Sequence, residues 1–159
     1  MIKWTEEMEM PVNIEIIWSL FELENMPKIM PGILETKIIE KKGGIVGSTY
    51  QQKYKEGNKI ETYIIEDLEH EDSPEKKHNK SGFMLGKVFE VESSITLTKL
   101  SENKTTFVYS GQNKGLTILG KVLLMLSGTK RNQKIVAEFM NRVKEESLKL
   151  KDSGEISNK

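Results

Sequence analysis

The chain has 159 residues, enough for one domain that buries about two-thirds of the surface its unfolded form exposes. It contains no cysteine, which excludes disulfides, thiol catalysis and thiolate metal sites together. Lysine and arginine number 24, as do aspartate and glutamate, so the basic excess that drives binding to nucleic-acid phosphates is missing and no nucleic-acid partner is expected.

The first segment, IKWTEEMEM, sets Ile2, Trp4, Met8 and Met10 on one face and Lys3, Thr5, Glu7 and Glu9 on the other, a period of two that predicts a strand. It is too acidic for a secretory signal. Pro11 ends it, and Asn13 is placed to cap a helix carrying Ile14, Ile17, Trp18 and Phe21 on one face. Pro27 and Pro31 forbid a long continuation, so Glu24 to Met30 forms a short second helix or a turn.

Strand-like segments follow between turn signals. They run from Ile33 to Lys41, Ile45 to Tyr54 and Lys59 to Glu69, with Gly43-Gly44 and Glu56 to Asn58 as turns. The polar stretch HEDSPEKK is expected to be a loop leading to an extended piece that ends near Phe83. Lys87 to Leu100 and a last strand closing at Gln112 complete the series, and the short connections imply antiparallel neighbours.

From Gly115 to about Lys151 there is no proline, and Leu116, Leu119, Leu123 and Leu126 recur at helical spacing, followed by Ile135, Phe139 and Val143. This predicts one long helix, or two in tandem if Gly128-Thr129 interrupts it. Ile118, Val122 and Met125 add a second stripe, which implies burial of the first part of that helix on several sides. The longest apolar run, LTILGKVLLML, is broken by Lys121 and is shorter than the roughly 20 residues that span a bilayer. Residues 1–151 are read as a single cytoplasmic domain without membrane insertion, and residues 152–159 as a disordered polar tail.

This order is α+β. A sheet of about seven antiparallel strands curls as it twists, and the terminal helix is the one element long enough to cover its concave face. The stretch MPVNIEIIWSLFELENMPKIMPGI, with Pro11, Asn13, Ile17-Trp18, Phe21 and the Pro27 to Pro31 corner, resembles the SRPBCC superfamily, as does the passage TTFVYSGQNKGLTILGKVLL. This is the helix-grip fold of START lipid-transfer domains, polyketide cyclases and dehydrases, and birch-pollen-allergen proteins. The resemblance spans about residues 1 to 150 and implies a cavity for an apolar or amphipathic ligand between sheet and helix. It implies no single reaction.

The residues expected to line that cavity are Phe21, Met26, Met30, Tyr50, Tyr63, Phe83, Phe89, Val91, Phe107, Tyr109, Leu116, Leu119 and Leu123. The simpler reading of each is ordinary core packing. Alternation favours one face of two strands: Phe89, Val91, Ser93, Ile95 and Leu97 on one, and Val46, Ser48, Tyr50, Gln52 and Tyr54 on the other. The second face is amphipathic and suits a polar ligand head.

No catalytic constellation stands out. His70 and His78, with Glu71 and Asp72 nearby, lack zinc-ligand spacing and fall in the expected loop. Glu61, Glu66 and Asp67 are the acid candidates; Glu61, Tyr63, Ile65 and Asp67 share a face, and solvent exposure is the ordinary state for such acids. Lys130, Arg131 and Lys134 form a small basic cluster on a solvated helix face. The leading expectation is therefore a carrier or sensor of a small hydrophobic ligand such as a lipid, isoprenoid or polyketide-like compound, a monomer or weak homodimer with no cofactor and no metal. The alternatives are a cyclase- or dehydratase-type enzyme using a cavity tyrosine and carboxylate, and a co-chaperone-like protein-interaction module.

Overall fold

The computed structural model describes residues 1–154, apart from the side chains of Leu126 and Ser127. Strand β1 (Ile2–Met10) ends at Pro11, and Asn13 caps α1 (Ile14–Ser19) by accepting from the Glu15 amide at 2.9 Å. A short α2 (Met26–Ile29) carries Pro27 in its first turn, where the missing N–H costs nothing. Five strands follow in hairpin succession after β2 (Ile33–Glu40): β3 (Thr49–Glu56), β4 (Lys59–Asp72), β5 (Lys76–Leu85), β6 (Phe89–Ser101) and β7 (Lys104–Gly115). Helix α3 (Ile118–Ser153) closes the chain.

The seven strands form one antiparallel sheet in the order β1-β7-β6-β5-β4-β3-β2. The two edge strands are thus consecutive in sequence, and α1 and α2 carry the chain between them. Helix α3 packs chiefly on β7 and β1 and against α1 and α2. The core forms on that side, from Met10, Ile14, Ile17, Leu20, Ile29, Leu97, Phe107, Val136, Met140 and Val143. Arg142 Nε donates to the Ile29 carbonyl at 2.9 Å and ties α3 to α2. This is the helix-grip arrangement, with the sheet bent about a helix that covers one side of its concave face.

Three local features depart from expectation. Strand β3 begins at Thr49, not Ile45, because residues 45–48 form a tight turn: Ile45 has φ 69° and Gly47 φ 88°. The Lys42 amide donates to Ser48 Oγ at 2.9 Å and holds that turn closed.

The expected loop HEDSPEKK is mostly strand, since β4 runs to Asp72 and β5 starts at Lys76. Ser73 closes the hairpin, its hydroxyl donating to the Lys76 carbonyl at 2.9 Å. Lys77 is buried there, bonded to Asp72 and to Glu15 (3.0 Å) and lying over the Trp18 ring.

Helix α3 is broken at Gly128, whose φ of 70° and ψ of 166° belong to a region open essentially to glycine alone. The helix then continues through Ser153 to a Gly154 cap, so the tail expected from 152 is helical at its first two residues. The remainder of that tail, 155–159, lies outside the described residues. Among the described residues no helix is long and apolar enough to cross a membrane.

Candidate functional site: a cavity between the sheet and the helices

Because α3 lies over β7 and β1, the β2–β5 half of the concave face is left with space above it. The result is a cavity of about 710 Å³. Its floor is the inward face of the sheet: Ile38 from β2, Tyr50, Gln52 and Tyr54 from β3, Tyr63, Ile65 and Asp67 from β4, Phe83 and Leu85 from β5, and Ile95 and Tyr109 from β6 and β7. Its roof is Trp18, Phe21, Met26 and Met30 from the α1–α2 region, with Phe139 from α3. Exposed Leu23, Ile38, Glu56 and Glu61 stand on the lining and mark where it meets solvent.

Seven of the thirteen residues expected on the lining are on it: Phe21, Met26, Met30, Tyr50, Tyr63, Phe83 and Tyr109. Phe107 is not, because it is fully buried in the core beneath α1, its ring 6.4 Å from that of Phe21. Phe89 and Val91 lie on the correct face of β6 but beyond the cavity. There β7 turns into α3 and packs directly on the β5–β6 turn, the Leu116 amide donating to the Val88 carbonyl at 2.8 Å.

Leu116, Leu119 and Leu123 are also off the lining, with 36%, 62% and 42% of their surface exposed. The break at Gly128 separates this first part of α3 from the part that grips the sheet. The expectation of burial on several sides fails with them, since Ile118 is 85% and Met125 82% exposed. The side chain of Leu126, the fourth residue of that stripe, lies outside the described residues.

One end of the floor is polar, and Asn79 is the residue there that the sequence did not single out. Asp67 is buried, not solvent-exposed as expected, and it lines the cavity. It accepts from Asn79 Nδ2 at 3.2 Å and from the Tyr50 hydroxyl. Asn79 Oδ1 in turn stands 3.2 Å from His70 Nδ1.

His70 reaches this cluster through a bulge. Strict alternation along β4 puts residues 63, 65 and 67 inward and residue 70 outward. The register shift between Asp67 and Glu69 adds one residue and turns His70 inward, opposite Asn79. Trp18 packs on His70 with ring centroids 5.9 Å apart.

A second polar pair lies further along the floor. The Tyr63 hydroxyl donates to Gln52 Oε1 at 2.8 Å, and the Tyr63 ring stacks on Phe83 at 4.3 Å. Burial is the main cause that pushes Tyr50, Tyr63 and Tyr109 up from their ordinary value. Tyr50 rises to about 12, assisted by the Asp67 carboxylate, Tyr109 rises to about 12, and Tyr63 is also raised. These phenols are therefore hydrogen-bond donors near neutral pH and not nucleophiles or bases. Glu61 and Glu66 are exposed, and among the described residues no three histidine or carboxylate side chains converge as a metal site.

Solved structures similar to the chain include norcoclaurine synthase from Thalictrum flavum in complex with dopamine and hydroxybenzaldehyde, 14% identical, covering 93% of this chain and 87% of that one, with a TM-score of 0.64. Ara h 8.0201 is 17% identical and covers 93% of this chain and 98% of that one at a TM-score of 0.64. The di-domain ARO/CYC StfQ of the steffimycin biosynthetic pathway is 11% identical, covering 96% of this chain and 46% of that longer one at 0.66. The fold is that of the SRPBCC superfamily. No protein-family model matches the chain, and no curated protein matches it in sequence. At these identities the SRPBCC likeness establishes the fold alone, and ligand and chemistry have to be argued from the cavity.

Proposed function

We propose that the chain binds a small amphipathic molecule in its cavity, with the apolar body under Phe21, Met26, Met30 and Phe139 and the polar head at the Tyr50–Asp67–Asn79 end. The observation that carries this reading is the hollow itself, about 710 Å³ of space with an apolar roof and one cluster of polar groups on its floor. Ligand pockets of drug-sized molecules have this size and this division of labour, with apolar walls for affinity and a few polar groups for orientation. The methionines at the α2 corner suit a lining that adjusts to ligand shape. One of the structural relatives named above, norcoclaurine synthase, was solved in complex with dopamine and hydroxybenzaldehyde, which is consistent with small-molecule binding by this fold.

Native mass spectrometry after mild purification tests the reading, together with uptake of a fluorescent fatty amphiphile. Retained small-molecule mass or saturable uptake is expected; protein that is always empty and takes up nothing overturns it.

One observation favours a second reading, an enzyme of the cyclase or dehydratase type. Asp67 is a buried carboxylate in contact with a tyrosine inside the cavity, the pairing such proton transfers use. If turnover of a polyketide-like substrate is found, Tyr50→Phe and Asp67→Asn lower kcat by 100-fold or more, in keeping with loss of general acid–base help. Variants that keep full turnover dispose of the enzymatic assignment.

A further inference from the structure

We infer that the polar head of the bound molecule is a cationic nitrogen, an amine or ammonium group seated on the Asp67 carboxylate; the inference rests on the cavity-binding reading above. Asp67 is 7% exposed, and both of its side-chain donors are neutral. Among the described residues no lysine or arginine comes within ion-pair distance of it. A buried carboxylate is ordinarily matched by a cation, since desolvation of the charge is costly when it is not. The same hairpin shows the ordinary case: buried Lys77 is held between Asp72 and Glu15. Among the described residues Asp67 has no such partner, and it faces the cavity, so the missing charge is one that a ligand brings.

The neighbours of Asp67 fit this role and cannot replace it. Asn79 must turn its amide NH₂ to the carboxylate, because the reverse orientation sets two oxygens against each other. Its carbonyl then faces His70 Nδ1, which fixes the donor there. Tyr50 donates its hydroxyl and contributes no charge.

The wider lining has the same sign. Glu22, Glu24, Glu56 and Glu61 stand on it with Lys41 as its one lysine, and Arg131 reaches across to Glu56 at 3.1 Å. Such a lining draws in a cation and repels a fatty carboxylate.

The test compares three ten-carbon chains that differ in the head alone, decylamine, decanol and decanoate, titrated calorimetrically at pH 7 into the full chain. Decylamine is expected to bind at least tenfold more tightly than decanol, and decanoate more weakly than either. Asp67→Asn, which keeps the side chain's shape and removes its charge, is expected to erase the preference for decylamine over decanol. Equal binding of decylamine and decanol by the unaltered protein overturns the cationic head and leaves the cavity reading standing. A preference for the amine that survives Asp67→Asn overturns the assignment to Asp67. Failure of all three chains to bind overturns both. The wild-type comparison needs no variant, so poor folding of Asp67→Asn leaves the central outcome measurable.

Discussion

Tyr50 and Tyr109 show how a single side chain takes its chemistry from its place. Both carry the same phenol as any exposed tyrosine, yet burial, and for Tyr50 the adjoining Asp67 carboxylate, raises each to about 12. A phenol whose folded value lies above its unfolded value stabilises the fold fully below pH 10, and that contribution is lost as pH rises through the folded value. The expected outcome is a thermal midpoint that falls between pH 10 and about 12, with tyrosine ultraviolet ionisation lagging behind that of the urea-unfolded chain. Coincident titration of folded and unfolded protein would contradict the burial of these rings. Tyr63 adds a second point at this scale: its hydroxyl satisfies Gln52, which is 4% exposed. Tyr63→Phe leaves that carbonyl unpaired and is expected to cost about 1–3 kcal/mol in urea unfolding.

Helix α3 carries the main lesson at the scale of elements. Its apolar periodicity is continuous in the sequence, but the backbone is not, because Gly128 sits at φ 70° and ψ 166°. Gly128→Ala forces a Cβ into that region and is expected to cost about 1–3 kcal/mol, read as a lower midpoint in thermal unfolding. No change, or a gain from the better helix former, means that the two parts of α3 run straight on.

The two parts also differ in what they touch. Met125 is 82% exposed before the break and Met140 is 4% exposed after it. Met140→Ala is expected to cost about 2–5 kcal/mol, and Met125→Ala to stay within about 0.5 kcal/mol. Similar costs at both positions would put the first part of the helix back over the cavity. At the other corner, Gly115 and Gly120 bring strand and helix backbones together. A Cβ on Gly120 would stand 2.6 Å from the Val88 carbonyl oxygen, which is why small residues occupy this junction.

At the scale of the molecule, the arrangement separates stability from binding. The buried apolar residues gather where α1 and the second part of α3 meet β1, β6 and β7. The cavity lies over the other half of the sheet and shares with that core Ile95 and Phe139, while Trp18, Phe21, Met26, Met30 and Tyr109 pack on the core and line the cavity at once. A molecule that fills it therefore adds contacts to the folded state that the unfolded chain lacks. At one hundred times its dissociation constant it is expected to raise unfolding free energy by about 2.7 kcal/mol, seen as an upward shift in thermal midpoint. Decylamine gives the simplest check, and an unmoved midpoint at saturation would mean that it binds the unfolded chain equally well.

The sequence by itself determined the elements and the order in which they come. Period-two runs between turn residues marked the strands, Asn13 and the prolines marked the helical corner, and the long proline-free stretch marked α3, because these signals arise from neighbours along the chain. It also determined the inward faces of β3 and β6, and through the first of them Tyr50 on the lining, which Tyr63, Phe83 and Tyr109 reach from β4, β5 and β7. Tertiary structure alone decided the rest. The bulge after Asp67 reversed the face of His70, Ser73 turned an expected loop into a hairpin that buries Lys77, and the Gly128 break took Leu119 and Leu123 off the cavity. Each depends on which strand or helix lies opposite, a relation between residues distant in sequence that periodicity does not encode. Asp67 follows the same rule: its face was legible, but its burial, with no counter-cation among the described residues, exists only once the sheet has closed around it.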